Sequence, residues 1–483
     1  MESPYFFEGM DFGLDEGDPR ATQGVDTPAG EMDWVLPEPP TTAGCTFLRP
    51  GQKAYEDRIK TIYNARTAIR PALFAMCETA AAIGKVISWA SSKSLPFAVR
   101  GGAHSYEGFS GSSSLVVDIS KLKQVSFDKT SKTVTVGAGA TLSAIQTELK
   151  GTGYALACGT CPTVGVAGHV LGGGYGFLAR AYGLAMDSLT SVRLVDPKGN
   201  SLVANASSNQ DLFWACRGGG GGSFGVVFEL TLRVHPVGDV DIFSVGWALP
   251  PDRAARVIDA WQKWAPQADN GITALLKVGK GAGQNVSLKC IGQSIAARTK
   301  IEKGLKALEA IEKPITPHSI QKVTFWQAFQ KFGGSSRDPY FQKERSDFLP
   351  LLNALGIRQA LQQIVAQPTS DIGLIFNAYG GAINDLGEDA TAFPHRSSVS
   401  YMIHYYAGWD APKLTQSKVA AMTAFYDGMR PFLPGKAYVN YSDAQLTSYQ
   451  TAYWGKNINR LKKVKRTFDP GNLFQFKQSV PLV

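Results

Sequence analysis

The chain has 483 residues, 44% of them hydrophobic, which is too many for one compact domain and enough for two cores. Its net charge of +9 comes from dispersed basic residues in a chain only 18% charged, which argues against a nucleic-acid partner. Six cysteines in so long a chain do not make a disulfide scaffold, and no apolar run reaches the roughly 18 residues of a membrane span.

In chain order, residues 1–45 are rich in Pro, Gly, Asp and Glu without a sustained period and read as an extended arm. The acidic start lacks the basic and apolar regions of a secretory signal, so a cytoplasmic location is favoured. Helical spacing of Ala80, Ala81, Ile83, Val86, Ile87 and Ala90 predicts a helix over 72–91, and residues 96–100 then read as a buried strand. Further strands are predicted at 115–118, 125–127, 133–137, 189–195 and 223–233, with a helix at 142–149. From about 240 to 436 the pattern changes to long alternating strands (274–278, 286–290, 371–379, 399–406) and amphipathic helices (252–264, 296–311). That pattern is expected of an antiparallel sheet with helices on one face. The fold class is therefore α+β. The basic run 460–466 reads as the wet face of a short helix before a Pro/Gly turn.

Two segments stand out. One is Arg-Gly-Gly-Ala-His-Ser-Tyr-Glu-Gly-Phe-Ser (100–110), the other Cys-Pro-Thr-Val-Gly-Val-Ala-Gly-His-Val-Leu-Gly-Gly-Gly-Tyr-Gly (161–176). Each joins glycines, which let backbone approach a ligand, to one reactive side chain, His104 or Cys161. The residues alone leave several readings open. Cys158 and Cys161 fit a dithiol or half a zinc site, although no second ligand pair follows, so no metal is expected. Residues 136–142 hold the first two glycines of a dinucleotide turn but place Leu142 where the third small residue belongs.

The two segments, with Arg217-Gly-Gly-Gly and a tail running from Tyr438-Val-Asn-Tyr441 through Phe468-Asp-Pro-Gly-Asn to Gln478-Ser, closely resemble the berberine bridge enzyme-like branch of the FAD-linked oxidases. The resemblance runs from about residue 65 to the C-terminus and implies the two-domain vanillyl-alcohol oxidase fold. On it, residues 46–237 form the FAD-binding domain, 238–436 the substrate domain, and 437–483 a tail returning to the first domain.

The resemblance implies FAD linked through its 8α carbon to His104 and through C6 to Cys161. It assigns cofactor contacts to Arg100, Gly101, Gly102, Ala103, Ser105, Tyr106 and Ser110, the amides of 101–106 cradling the pyrophosphate. Further contacts fall on Val164, Gly165, Gly168, His169, Gly172, Gly173, Gly174, Gly176, Val226, Asn440 and Tyr441. Gly172 to Gly174 are expected to let the chain pass close to the cofactor. Tyr438 matches the family's substrate-side base. On a strand it would share a face with Asn440 while Tyr441 points away. A phenol of ordinary pKa near 10 needs a neighbour to become such a base. His404 stands where relatives carry Glu or Gln, and is expected either to partner Tyr438 or to meet the substrate hydroxyl. His395 is expected to serve its own loop. Valine at 164 is small, which in the family goes with oxygen reaching the reduced flavin. The implied reaction is oxidation of an alcohol or hemiacetal of a carbohydrate or natural product, with O2 reduced to H2O2. The expected partners are a small-molecule substrate and O2, and the expected assembly a monomer or homodimer. Two alternatives are a flavin-dependent oxidative cyclase and a non-catalytic flavin-binding protein.

Overall fold

The computed structural model describes residues 36–333 and 340–483, so most of the expected N-terminal arm lies outside the described residues. Strands β1 (Cys45–Leu48), β2 (Leu73–Cys77), β3 (Phe97–Arg100) and β4 (Leu115–Asp118) form one sheet in the order β1-β2-β4-β3. β2 and β3 run parallel to β4, and β1 runs antiparallel to β2. The helix expected over 72–91 therefore begins late. Leu73 to Cys77 are apolar and buried on both faces, as a central strand requires, and Thr79 then accepts a hydrogen bond from the Ala82 N–H to start the helix Ala80–Ser92.

A second, antiparallel sheet is built from β5 (Val125–Asp128), β6 (Thr133–Gly137), β8 (Leu189–Val195), β9 (Ser201–Asn205) and β10 (Val226–Arg233), in the order β5-β6-β10-β8-β9. The short strands β7 (Tyr154–Ala155) and β11 (His235–Pro236) pair with each other. A single apolar core joins these sheets and takes in Tyr438, Tyr453, Trp454 and Leu461 from the C-terminal stretch.

The third sheet has seven antiparallel strands: β12 (Asp239–Leu249), β13 (Ile272–Lys280), β14 (Val286–Ser294), β15 (Thr316–Thr324), β16 (Phe341–Leu349), β17 (Ile372–Ala378) and β18 (Tyr401–Trp409). Their order is β15-β12-β14-β13-β17-β18-β16. One face carries the helices Pro251–Trp264, Arg298–Ile311, Ala354–Ala366 and Thr415–Met429 over a core that includes Trp247, Trp261 and Phe376. Alternation along β18 sends Tyr401, Ile403 and Tyr405 to that core and Met402, His404 and Tyr406 to the opposite face.

Strand β16 departs from any apolar pattern, because Gln342-Lys-Glu-Arg-Ser-Asp347 are all buried. Each charge there has a partner. Lys343 lies between Glu107 and Asp443, Glu344 meets His404, Arg345 meets Gln445, and Asp347 takes a 2.5 Å bond from Arg430. Removing one member of such a buried pair costs roughly 3–5 kcal/mol, because the other is left as an unpaired charge.

Two further expectations change. The helix Ile458–Phe468 does not have a wholly wet basic face: Lys465 is buried, donating to Ser223 O and Asp469 Oδ2 at 2.7 Å and to Phe474 O at 2.5 Å. Residues 438–441 form a turn rather than a strand, closed by the Tyr441 N–H donating to Tyr438 O at 2.9 Å. Among the described residues no helix is long and apolar enough to cross a membrane.

Candidate active site

Strand β3 ends at Arg100 and delivers the first glycine segment, while the second runs through the short helix Val166–Leu171. The two meet at Gly102 and Gly165. A Cβ on Gly102 would lie 2.4 Å from the Gly165 nitrogen, so only glycine permits the approach. Ala103 adopts a left-handed φ of 56°, and its carbonyl accepts from the Tyr63 N–H at 3.1 Å. The Tyr63 ring stacks on His104 at 3.7 Å, and His104 Nε2 shares a hydrogen bond with Thr163 Oγ1 at 2.8 Å. The two segments are thus joined by side chains as well as by glycines.

They open on a cavity of about 470 Å³. Its wall includes His104 and Cys161 together with Gly101, Gly102, Ala103, Ser105, Tyr106, Ser110, Val164, Gly165, Gly168, His169 and Gly176. Tyr438, Asn440 and Tyr441 close it from the C-terminal stretch, and His404 and Tyr406 from β18. Burial lowers His104 to about 3 and His169 to about 4, so both rings are neutral near pH 7. The His169 Nε2 accepts from the Gly159 N–H at 2.9 Å. Cys161 is accessible from the cavity, and its thiol is pushed up by burial and by Glu344. Cys158 is instead buried against Gln146, so the two cysteines occupy different surroundings.

Five of the expected contacts lie off the cavity wall. The Arg100 guanidinium turns back to Arg58 O and Thr61 Oγ1, and burial lowers it to about 10. Val226 points into the core, and its strand neighbour Val227 lines the cavity in its place, because successive strand residues face opposite sides. Gly172 and Gly173 make room for the C-terminal stretch, and Gly174 for Ala185 and His169. A Cβ on Gly172 would sit 2.1 Å from Asn440 Oδ1 and one on Gly173 3.0 Å from the Tyr438 ring. The Gly174 N–H donates to Tyr438 Oη at 2.7 Å, and Asn440 Nδ2 donates to the same oxygen at 3.1 Å. Tyr438 and Asn440 therefore do meet, by a turn instead of strand alternation. Burial raises the Tyr438 phenol, and the Gly174 and Asn440 donors oppose the rise.

His404 does not pair with Tyr438. Its Nε2 meets Glu344 Oε2, and its ring lies flat on Tyr441 at 4.0 Å, with Tyr441 in turn edge-on to Tyr438 at 5.1 Å. Glu344, Lys277, Gln342, Asn377, Tyr63 and Tyr340 also line the cavity, and none was singled out in the sequence. Burial pushes the Lys277 ammonium down to about 7. His395 stays outside the cavity, stacked on Phe348 at 4.4 Å.

The residues fit FAD. Gly168 lines the cavity, yet a Cβ there would meet nothing within 4 Å in the protein, which leaves open space beside it for a bound group. Glycines 219–222 extend that space. Among the described residues no group of three or more His, Cys, Asp or Glu could hold a metal ion.

Comparison with known proteins decides the family. An FAD binding domain matches residues 71–205 and a berberine and berberine like domain matches 437–481. The chain is 32% identical over 425 residues to an uncharacterized FAD-linked oxidoreductase of Bacillus subtilis, YgaK, covering 85% of this chain and 91% of that protein. It belongs to the berberine bridge enzyme-like family of FAD-linked oxidoreductases. Berberine bridge enzyme-like 2 of Arabidopsis thaliana is 30% identical, over 94% of this chain and 90% of its own length. Among solved structures, BBE-like 1 of Physcomitrella patens superposes with a TM-score of 0.84 at 30% identity, covering 91% of this chain and 97% of that one. A chitooligosaccharide oxidase superposes with a TM-score of 0.82 at 25% identity, covering 90% of this chain and 97% of the other. The α+β fold, with an FAD-binding half and a berberine bridge enzyme-like C-terminal stretch, is thus the fold of this family.

Proposed function

We propose that the chain is an oxidase that converts an alcohol or hemiacetal carbon of a carbohydrate or natural-product substrate to the carbonyl, with O2 reduced to H2O2. The observation that carries this reading is one cavity wall on which the two glycine segments of the FAD half meet Tyr438 and His404. FAD, when bound between the two glycine segments, would supply a two-electron acceptor for the hydride that O2 could reoxidise. In balance, the CH–OH group loses two electrons and two protons, and O2 gains the same.

His104 and Cys161 are the residues proposed to tether the cofactor, one from each segment. Tyr438 and His404 act on the reacting hydroxyl. Tyr63, Tyr340 and Tyr406 supply faces on which a sugar or an aromatic ring can stack. Val164 leaves room at the wall for oxygen. The family member described as a chitooligosaccharide oxidase supports a carbohydrate as substrate.

A peroxide-coupled screen of the purified holoprotein against oligosaccharides, simple sugars and benzylic alcohols tests the reading. The expected result is H2O2 in step with carbonyl product for at least one CH–OH compound. A flavin left oxidised by every such compound would refute it, and product formed without peroxide would favour the cyclase.

A further inference from the structure

Glu344 on β16 and His404 on β18 face the same cavity from neighbouring strands, where Ser346 is the register partner of His404 and Tyr406 that of Glu344. Glu344 Oε2 and His404 Nε2 share a hydrogen bond, and both residues are buried. Tyr441 covers the imidazole face at 4.0 Å, and Tyr106 and Tyr406 stand at 6.4 and 6.3 Å. As packing alone the pair is a poor choice, because apolar groups of like volume fill such a site with no desolvation cost. Its position on the wall of the cavity that the two glycine segments line points to chemistry.

We propose that Glu344 and His404 form a proton-accepting pair for the substrate hydroxyl, with His404 as the catalytic residue and Glu344 as the positioning residue behind it. This rests on the reading of the chain as an oxidase of CH–OH carbons. A hydrogen on Nε2, donated to the Glu344 carboxylate, fixes the tautomer in which Nδ1 is the acceptor. As the substrate O–H bond breaks, its proton moves to Nδ1. The C–H bond would break with its electron pair going to FAD, once held by the glycine segments, as the C=O bond forms. Before the transfer the pair carries one net negative charge; afterwards it is a neutral carboxylate–imidazolium pair. A buried site favours the neutral form, so burial assists the transfer.

The surroundings agree with that direction. Burial raises the Glu344 carboxyl, opposed by His404 and by Lys343 and Arg66 behind the strand. The other titratable groups on this wall are the phenols of Tyr63, Tyr106, Tyr340, Tyr406 and Tyr441 and the Cys161 thiol, each raised by burial and so neutral, and Lys277, whose ammonium burial pushes down to about 7. Tyr438, whose oxygen accepts from Gly174 and Asn440, keeps its own hydrogen and donates it to the same substrate oxygen.

The test compares Glu344→Gln, Glu344→Asp, His404→Gln and the double variant Glu344→Gln/His404→Gln, using a substrate from the peroxide screen. The anaerobic rate of flavin bleaching is expected to fall roughly 10–100-fold in Glu344→Gln with little change in KM. Glu344→Asp recovers part of the loss, and the double variant is no slower than His404→Gln alone. Additive losses, a wild-type rate in Glu344→Gln, or no rescue by aspartate would overturn the proposal. A second arm needs no substrate: the visible flavin band of the holoprotein is recorded for the wild type, Glu344→Gln, Glu344→Asp and His404→Gln. The band is expected to move in Glu344→Gln and His404→Gln and to return towards the wild type in Glu344→Asp; an identical band in all four proteins overturns the pair. If the band depends on the pair while no CH–OH compound bleaches the flavin, the oxidase reading fails and the pair stands.

Discussion

The backbone N–H of Gly174 donates to the phenol oxygen of Tyr438 at 2.7 Å, tying together two residues 264 positions apart. With Asn440 as the second donor, the oxygen is held in one place by two fixed hydrogen bonds. Tyr438→Phe removes the O–H proposed to donate to the substrate oxygen while keeping the ring that packs on Gly173. The expected result is unchanged flavin content and a loss of about a hundredfold in the anaerobic rate of flavin bleaching by substrate. A rate within twofold of wild type would remove Tyr438 from the reaction.

Covalent attachment is tested by acid precipitation. Yellow colour is expected to stay in the pellet for the wild type and for His104→Ala or Cys161→Ala alone, and to move to the supernatant for the double variant. Peptide mass spectrometry should place the two linkages in the segments that Thr163 and His104 join at 2.8 Å. Release of all flavin from the wild type would show that neither tether forms.

Two glycines on the same segments should behave oppositely. Gly102→Ala places a Cβ 2.4 Å from the Gly165 nitrogen, and backbone must move, at a cost of about 1–3 kcal/mol that a lowered Tm reports. At Gly168 a Cβ meets no protein atom within 4 Å, so Gly168→Ala should leave the apoprotein Tm unchanged and lower flavin occupancy instead. Full occupancy in that variant would place the cofactor elsewhere.

Val164 is tested by enlargement. Val164→Leu adds one methylene at the cavity wall and is expected to slow reoxidation by O2 about tenfold while leaving anaerobic reduction by substrate near the wild-type rate. Stopped-flow absorbance separates the two half-reactions. Equal slowing of both would mean that the side chain acts on substrate binding and not on oxygen.

Acid should weaken the fold through its buried histidines. Burial holds His104 and His395 at about 3 and His169 and His235 at about 4, all below the ordinary 6.5. Below that value the unfolded chain binds protons that the folded one refuses, so stability is complete above pH 6.5 and is lost as pH falls towards 3. Each unit of difference is worth about 1.4 kcal/mol. Tm of the apoprotein, whose His104 carries no flavin, should drop over this interval, and His169→Gln, which can still accept from the Gly159 N–H, should make the slope shallower.

Much of the flavin half is legible in the sequence because its signals are local: glycines stand beside His104 and Cys161 within a few residues, and β3 leads directly into the first of them. What escapes is whatever depends on distant neighbours. Gly172 to Gly174 look like cofactor contacts until Asn440, Tyr438 and, beside Gly174, Ala185 and His169 are seen filling the space. Tyr438-Val-Asn-Tyr has a strand's alternation, but the hydrogen bond from Tyr441 to Tyr438 curls it into a turn. Leu73 to Cys77 share apolar character with the helix that follows, and only pairing with β1 and β4 makes them a strand. Glu344 is the hardest to see. It lies in a run of charged residues that resembles a solvated surface, and its meaning comes from a strand pairing that brings His404 beside it from 60 residues away.

The ammonium of Lys343 has a consequence for recombination between relatives. It sits between Glu107, within the first glycine segment, and Asp443, in the C-terminal stretch, so three separated regions share one buried cation. The central sheet is consequently not a free-standing module. A chimaera that exchanges residues 238–436 for those of a family member without a lysine at this position would leave Glu107 with Arg66 alone and Asp443 without its Lys343 partner. Libraries built by shuffling these enzymes at the borders of the sheet are expected to recover more folded proteins when positions 107, 343 and 443 are inherited as a set.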